Sequence, residues 1–278
     1  MSGKRSDVAD WWQTNIIDMA PGQIRLRGQP IETLIGDITF PEMIWMMVRG
    51  DRPTPDQAAL FEAALVAAVD HGPQAPSIAA ARMAVTCGLG LNGAMANAVN
   101  MLDDVHGGAG EQAVMLYTQI ANCGHDTTDS DALDRITGDA IDRWQSTQTP
   151  FVPGFGHRFH KPEDPRAPRL LALVERAADR GTVSGRFAAI GRSVDRVLRA
   201  RKGKPVPMNI DGATAVIYAE LGFAPPLARG LFCLSRSVGA LAHAWEQSQQ
   251  GGRNKGPTPP QYRWTYTGPN PIGDDGDG

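Results

Sequence analysis

The chain has little from which to build a disulfide framework, a membrane span or a nucleic-acid surface. Its 278 residues include three cysteines, Cys87, Cys123 and Cys233. They are far apart, odd in number and form no C-x-x-C pair, which fits a reducing compartment better than a secreted scaffold. No apolar run is long enough to cross a bilayer. The first ten residues are polar and contain no apolar stretch of the secretory kind. With 27 basic and 30 acidic residues the net charge is only −3. Nothing therefore points to nucleic acid or an anionic membrane as the main partner. At 42% hydrophobic residues a real core can form, and a soluble cytoplasmic protein is expected.

Series with β alternation are also scarce. The segment Ile24–Ile31 alternates apolar and charged residues as a short ribbon would. Elsewhere helical periods dominate, so the expected class is all-α. Trp11 and Trp12 are expected to begin the buried structure, after a frayed stretch over 1–9. Phe40 to Arg49 reads as a helix opened by Pro41 and closed by Gly50. Thr54 caps the next helix, with Leu60, Phe61, Ala64, Leu65 and Ala68 as its apolar face. Ser77 starts another. Further helices are expected over Ala94–Leu102, on to about Ile120, over Ala132–Trp144, Arg169–Arg180, Gly185–Ala200 and Ala213–Leu221, and from about Leu227 to Gln249. Gly88 to Gly93 spells G-x-G-x-x-G, but a helical, Ala/Met-rich segment precedes it and no acidic residue stands at the required distance. Packing between helices is the better use of these glycines than a dinucleotide. The Gly/Pro-rich, acidic tail is expected to be disordered.

The stretch from Gly154 to Arg166 carries the strongest chemical signal. Prolines at 150 and 153 stop the preceding chain. Gly154 and Gly156 permit close approach to a ligand. His157 then lies among Arg158, Lys161 and Arg166, which suits an anion undergoing proton transfer. Two more breaks between helices hold a titratable residue beside small ones, at His106 and at Asp211. Asp211 alone could be a helix cap. Two imidazoles and a carboxylate in such breaks form a candidate acid–base set.

His106-Gly107-Gly108-Ala109, Gly154-Phe155-Gly156-His157 with Asp164-Pro165-Arg166, and Asn209-Ile210-Asp211 resemble, in order, the three catalytic blocks of the citrate synthase superfamily. Asp70-His71-Gly72, Ser235-Arg236 and Tyr266-Thr267-Gly268-Pro269 resemble further blocks. The resemblance implies a large helical domain (1–108 and 213–268), a smaller inserted helical domain (109–212) and a tail at 269–278. It also implies a homodimer or higher homo-oligomer, and a closable cleft for a coenzyme A thioester and a dicarboxylate. By the same resemblance Asp211 exchanges the proton at the thioester α-carbon, His106 steadies the enolate, and His157 holds the oxaloacetate carbonyl or the alkoxide it becomes. His71, Arg166 and Arg236 would bind substrate carboxylates, for which forked guanidinium groups are suited. Gly154, Gly156, Arg158, Lys161 and Lys204 would face coenzyme A, a substrate rather than a bound cofactor. No metal is expected.

The chain departs from the family pattern in three places. Gly110 replaces the usual Asn. No Arg-Pro pair occurs near the C-terminus, so Arg263 is the choice for the arginine reaching a neighbouring subunit. The Asp70-His71-Gly72-Pro73 block and the short form are more similar to citryl-CoA lyase than to synthases. The expected reaction is thus cleavage of citryl-CoA to acetyl-CoA and oxaloacetate, with citrate or 2-methylcitrate synthesis as the alternative. Other classes are weaker. His157 and His160 give only H-x-x-H amid cations, and H-E-x-x-H is absent. G-x-S-x-G is absent, which speaks against a serine esterase. A non-catalytic relative that binds a thioester or citrate stays open.

Overall fold

The structure is a computed structural model that describes residues 11–124, 127 and 129–269. The polar stretch 1–9 lies outside the described residues, as does the expected acidic tail apart from Pro269. The chain forms two compact units, Met1–Val69 with Asp103–Ser235, and Asp70–Leu102 with Arg236–Gly278. This grouping by packing differs from the expected division into 1–108 with 213–268 and 109–212.

The first unit opens with a three-stranded antiparallel ribbon: β1 (Ile17–Ala20), β2 (Gln23–Leu26) and β3 (Gln29–Pro30). Gly22, at φ +77°, makes the turn between the first two strands. The ribbon extends beyond Ile24–Ile31 because β1 pairs through Ile17 and Leu26. Trp11 and Trp12 do not begin a buried core. They are 76% and 87% exposed, since an apolar side chain buries only where another element arrives to cover it.

A short helix α1 (Ile31–Leu34) follows, then α2 (Phe40–Arg49) and α3 (Pro55–Ala67). Both longer helices start as the sequence predicts. Thr39 with Glu42, and Thr54 with Gln57, form reciprocal capping boxes, each with a proline in the first turn. Gly50 closes α2 in the left-handed region at φ +91°. Their inner faces meet an aromatic cluster. Trp45 stands edge-on to Phe223 at 5.0 Å, and Phe61 stacks on Phe223 at 5.4 Å. Arg49 lies over Trp45 and Phe223 and donates to the Leu221 carbonyl at 2.7 Å. Burying one such side chain stabilises the fold by about 1.5–3 kcal/mol.

The same unit continues with α6 (Ala109–Cys123), α7 (Ser130–Thr147), α8 (Arg166–Asp179), α9 (Arg186–Lys202) and α10 (Ile210–Glu220). Gly212 to Ala219 are all buried, and α10 packs against α3, α6, α8 and α9. Small and apolar residues on every side make it the central helix. Its two ends do different work. At the C-terminal end Glu220 accepts amide protons from Ser184, Gly185, Phe187 and Ala188, so a carboxylate caps the start of α9. The N-terminal end carries Asp211.

The second unit holds α4 (Pro76–Thr86), α5 (Leu91–Asn100) and the later part of α11 (Pro225–Gln250). Ile78, Ala81, Ala94, Ala98, Ala240 and Ala244 form its core. The first helix here starts at Pro76, one residue before the expected Ser77, because proline suits the first helical position. The G-x-G-x-x-G glycines are not packing glycines. Gly88 adopts φ +93° with open space around it, and a Cβ on Gly93 would meet only its neighbour Leu89. They end one helix and begin the next. Among the described residues no helix is long and apolar enough to cross a membrane.

Candidate active site

Three loops of the first unit line one cleft, and two of them are fastened together at the start of α10. The first, Asp103–Gly108, is a closed turn. The Asp103 amide donates to the His106 carbonyl at 2.9 Å. Gly107 takes φ +107°, and a Cβ on Gly108 would fall 2.7 Å from the Asp104 Cα. Both glycines of the H-G-G run are therefore dictated by the backbone. His106 itself is half-buried.

The second loop is fastened to the third. Asn209 donates its amide to the Gly154 carbonyl and its side-chain NH₂ to the Gly156 carbonyl, both at 2.9 Å. The Gly156 amide donates to the Pro207 carbonyl at 2.7 Å, and Phe155 forms an antiparallel bridge with Met208. A Cβ on Gly154 would lie 2.5 Å from the Gly212 Cα, and one on Gly212 would lie 2.4 Å from the Gly154 oxygen. Gly154 thus makes room for protein backbone, which accounts for it without a ligand. The helix after the first loop joins the same junction. Ala113 lies 3.3 Å from the Gly154 Cβ position, and the Tyr117 hydroxyl donates to the Gly212 carbonyl at 3.4 Å.

Asp211 is not the helix cap. Asn209 fills that place, its Oδ1 accepting the amides of Asp211 and Gly212 at 3.0 and 3.2 Å. The half-buried Asp211 carboxylate is thereby relieved of the commonest structural duty of an acid at this position. Seven residues along the same helix, the Tyr218 phenol is held in its neutral form first by burial and then by the negative charge of Asp211.

His157 has a defined tautomer. Its Nδ1 accepts the amides of Phe159 and His160 at 3.0 and 2.9 Å. A ring nitrogen that accepts two N–H groups carries no proton, so the neutral imidazole presents N–H at Nε2. Burial lowers the pKa of His157. His160 and Arg166 lower it further, against an opposing pull from Asp164. The His160 ring lies 4.4 Å away.

Asp164 and Arg166 form the adjoining pair. Asp164 is fully buried and accepts from the Arg166 amide, Nε and Nη2 at 3.1, 3.0 and 2.8 Å. Burial alone would raise its pKa, but these bonds and the Arg166 charge hold the carboxyl below its usual range. The pairing also answers the unfavourable placing of a cation at the start of α8. His157, His160 and Asp164 bring possible ligand atoms within 4.8 Å of one another. Both Asp164 oxygens are already engaged by Arg166, and His157 Nδ1 by two amides, so the group reads first as the frame of the loop.

Beside this junction lies a cleft of about 730 Å³, lined by residues that include Val105, Met115, Phe151, Phe155, Asn209 and Arg229. Each loop contributes to its wall. The three titratable residues are neighbours of that lining rather than part of it. Arg158, Lys161 and Lys204 are exposed. His71, Arg236 and Arg263 belong to the second unit, where His71 and Arg263 are exposed and Arg236 is buried.

Sequence reasoning missed Asn209 as the staple and Arg229 altogether. The only signal for Asn209 was an Asx residue two places before the acid of a helix start. Arg229 left none, because its partners stand more than a hundred positions earlier.

The family model for the citrate synthase C-terminal domain matches residues 44–258. The citrate synthase of Deinococcus radiodurans is 30% identical over 224 residues, covering 80% of this chain and 56% of that protein. This chain thus spans about half the length of the curated relatives it matches. Among solved structures, citryl-CoA lyase from Hydrogenobacter thermophilus superimposes with a TM-score of 0.80 at 29% identity, covering 94% of this chain and 96% of that one. Citrate synthase from Thermoplasma acidophilum, at 23% identity and a TM-score of 0.66 over 84% of this chain and 58% of its own, shares the fold. With a family match over most of its length, the chain belongs to the citrate synthase family.

Proposed function

We propose that this protein cleaves (S)-citryl-CoA to acetyl-CoA and oxaloacetate. The observation that carries the proposal is the tautomer of His157, on a loop stapled by Asn209 to the turn bearing Asp211. An Nε2–H held in place by two backbone amides is a preorganised donor. It steadies the alkoxide left when the citryl hydroxyl gives its proton to the Asp211 carboxylate, and this narrows the role expected from sequence. Because Nδ1 is occupied, the ring gives a hydrogen bond rather than taking the proton. The carbon–carbon bond then breaks, one fragment leaves as oxaloacetate, and His106 steadies the thioester enolate. Asp211 delivers a proton to the α-carbon. Arg166 binds a substrate carboxylate, and the cleft lined by Val105, Phe151 and Phe155 takes the thioester arm, with Gly156, Arg158, Lys161 and Lys204 toward the phosphates. Closure of 109–212 keeps water out.

The lyase direction is favoured by the likeness to the Hydrogenobacter lyase, at 29% identity and a TM-score of 0.80. Synthesis from acetyl-CoA and oxaloacetate is the second reading, favoured by the curated relatives named citrate synthase. The test is direct. Purified protein given citryl-CoA should release oxaloacetate, followed with malate dehydrogenase and NADH. Faster release of thiol from acetyl-CoA plus oxaloacetate would assign the synthase instead. No turnover in either direction would leave a binding protein and refute the proposal.

The assembly proposed is a homodimer in the cytoplasm. Leu234, Val238, Leu241 and Trp245 repeat at helical spacing on α11 and are 40–58% exposed, an apolar stripe suited to a second copy. Light scattering should give twice the 29.8 kDa chain mass, and Val238→Asp with Leu241→Asp should return the monomer. Variants that stay dimeric would remove α11 from the interface. The C-terminal Arg263 is proposed to reach the partner's site.

A further inference from the structure

We infer that Arg229 is a positioning residue for His106, clamping the two acids that precede this histidine to the acid on the helix that follows it. The inference rests on the role given to His106 above. Arg229 lies near the start of α11. Its Nη1 and Nη2 reach Asp103 and Asp104 at 2.5 Å each, and its Nε pairs with Glu111 of α6 at 2.5 Å. One guanidinium thus holds both sides of the His106 turn.

The turn is stiff enough to transmit the clamp. Asp103 is bonded through its amide to the His106 carbonyl, and the Asp104 backbone fills the space a Cβ on Gly108 would need. The Gln112 side chain donates to the Asp104 carbonyl at 3.2 Å from the next helical turn. Displacing Asp103 and Asp104 must therefore displace His106. Asp103 and Asp104 are themselves largely exposed, at 80% and 74%, while Arg229 is 23% exposed. Isolated pairs of exposed acids contribute little to stability. A guanidinium shared by three carboxylates fixes geometry, which a catalytic donor needs to within a fraction of an ångström. Hydrogen bonding to Asp104 and the nearby carboxylates keep Arg229 firmly charged.

The experiment compares Arg229→Met, Arg229→Lys and Glu111→Gln with the unsubstituted protein, each labelled with ¹⁵N-histidine. In Arg229→Met, kcat for citryl-CoA cleavage should fall at least tenfold with KM changed less than threefold. The ring resonance of His106 should move or broaden while that of His243 stays in place. Arg229→Lys should recover part of the loss, and Glu111→Gln, which releases one arm, should fall between. If kcat stays within twofold and the His106 resonance is unmoved, Arg229 only fastens helices together and the inference is wrong, even if the melting temperature drops. Should Arg229→Met not fold, the other two variants decide by the same readouts. If the wild-type protein turns over nothing, the proposed function fails, whereas the resonance of His106 still judges the clamp.

Discussion

Asp211→Asn should lower turnover by roughly 10²–10⁴-fold, the usual worth of a positioned acid or base. The substitution keeps size and shape but removes the ability to exchange a proton with carbon. It should leave the helix cap in place, because Asn209 accepts the amides at the start of α10. The melting temperature should therefore change little while product formation nearly stops. The loss should appear in kcat, since the carboxylate moves protons only after the thioester is bound. Turnover within tenfold of wild type would remove Asp211 from the chemistry. An unfolded variant would show instead that the carboxylate is structural.

Replacing His157 with alanine should cost about 10²–10³-fold in kcat, as expected for losing one preorganised donor at a developing oxyanion. The pH profile gives a second, independent reading. The active form is the neutral ring with its proton on Nε2. Protonation at Nδ1 would break the bonds from Phe159 and His160. Burial, His160 and Arg166 all lower the pKa of this ring. Falling pH removes the active form, and it must fall past the ordinary histidine value of about 6.5 to do so. Activity should thus persist through that value and decline only below it. An acid limb centred at or above the ordinary value would contradict the tautomer. Transfer of that limb to a different pH in Asp211→Asn would assign it to the carboxylate.

Local features of the fold were legible because local chemistry decides them. Pro41, and Thr54 with Pro55 behind it, mark helix starts within a few residues. Gly50 marks a stop for the same reason. What depended on distant partners was not legible. Trp11 and Trp12 look like core residues by composition, yet they are left largely exposed. Gly154 looked like a ligand-facing glycine, and its neighbour turned out to be Gly212, 58 positions away. The site divides in the same way. His106, His157 and Asp211 stood out as titratable residues in helix breaks. Whether Asp211 or Asn209 capped the helix could not be read from the sequence, since either side chain can accept an amide. The Asn209 staple and the Arg229 clamp are long-range ties that only folding reveals.

The central claim is that His157 and Asp211 act on one carbon–carbon bond. The most direct test is the cycle of His157→Ala, Asp211→Asn and the double variant, measured as oxaloacetate released from citryl-CoA. Groups that serve a single event are strongly non-additive. The double variant should be about as slow as the slower single variant. A loss equal to the product of the two separate losses would mean that the residues act independently, and the account of a shared site would be wrong.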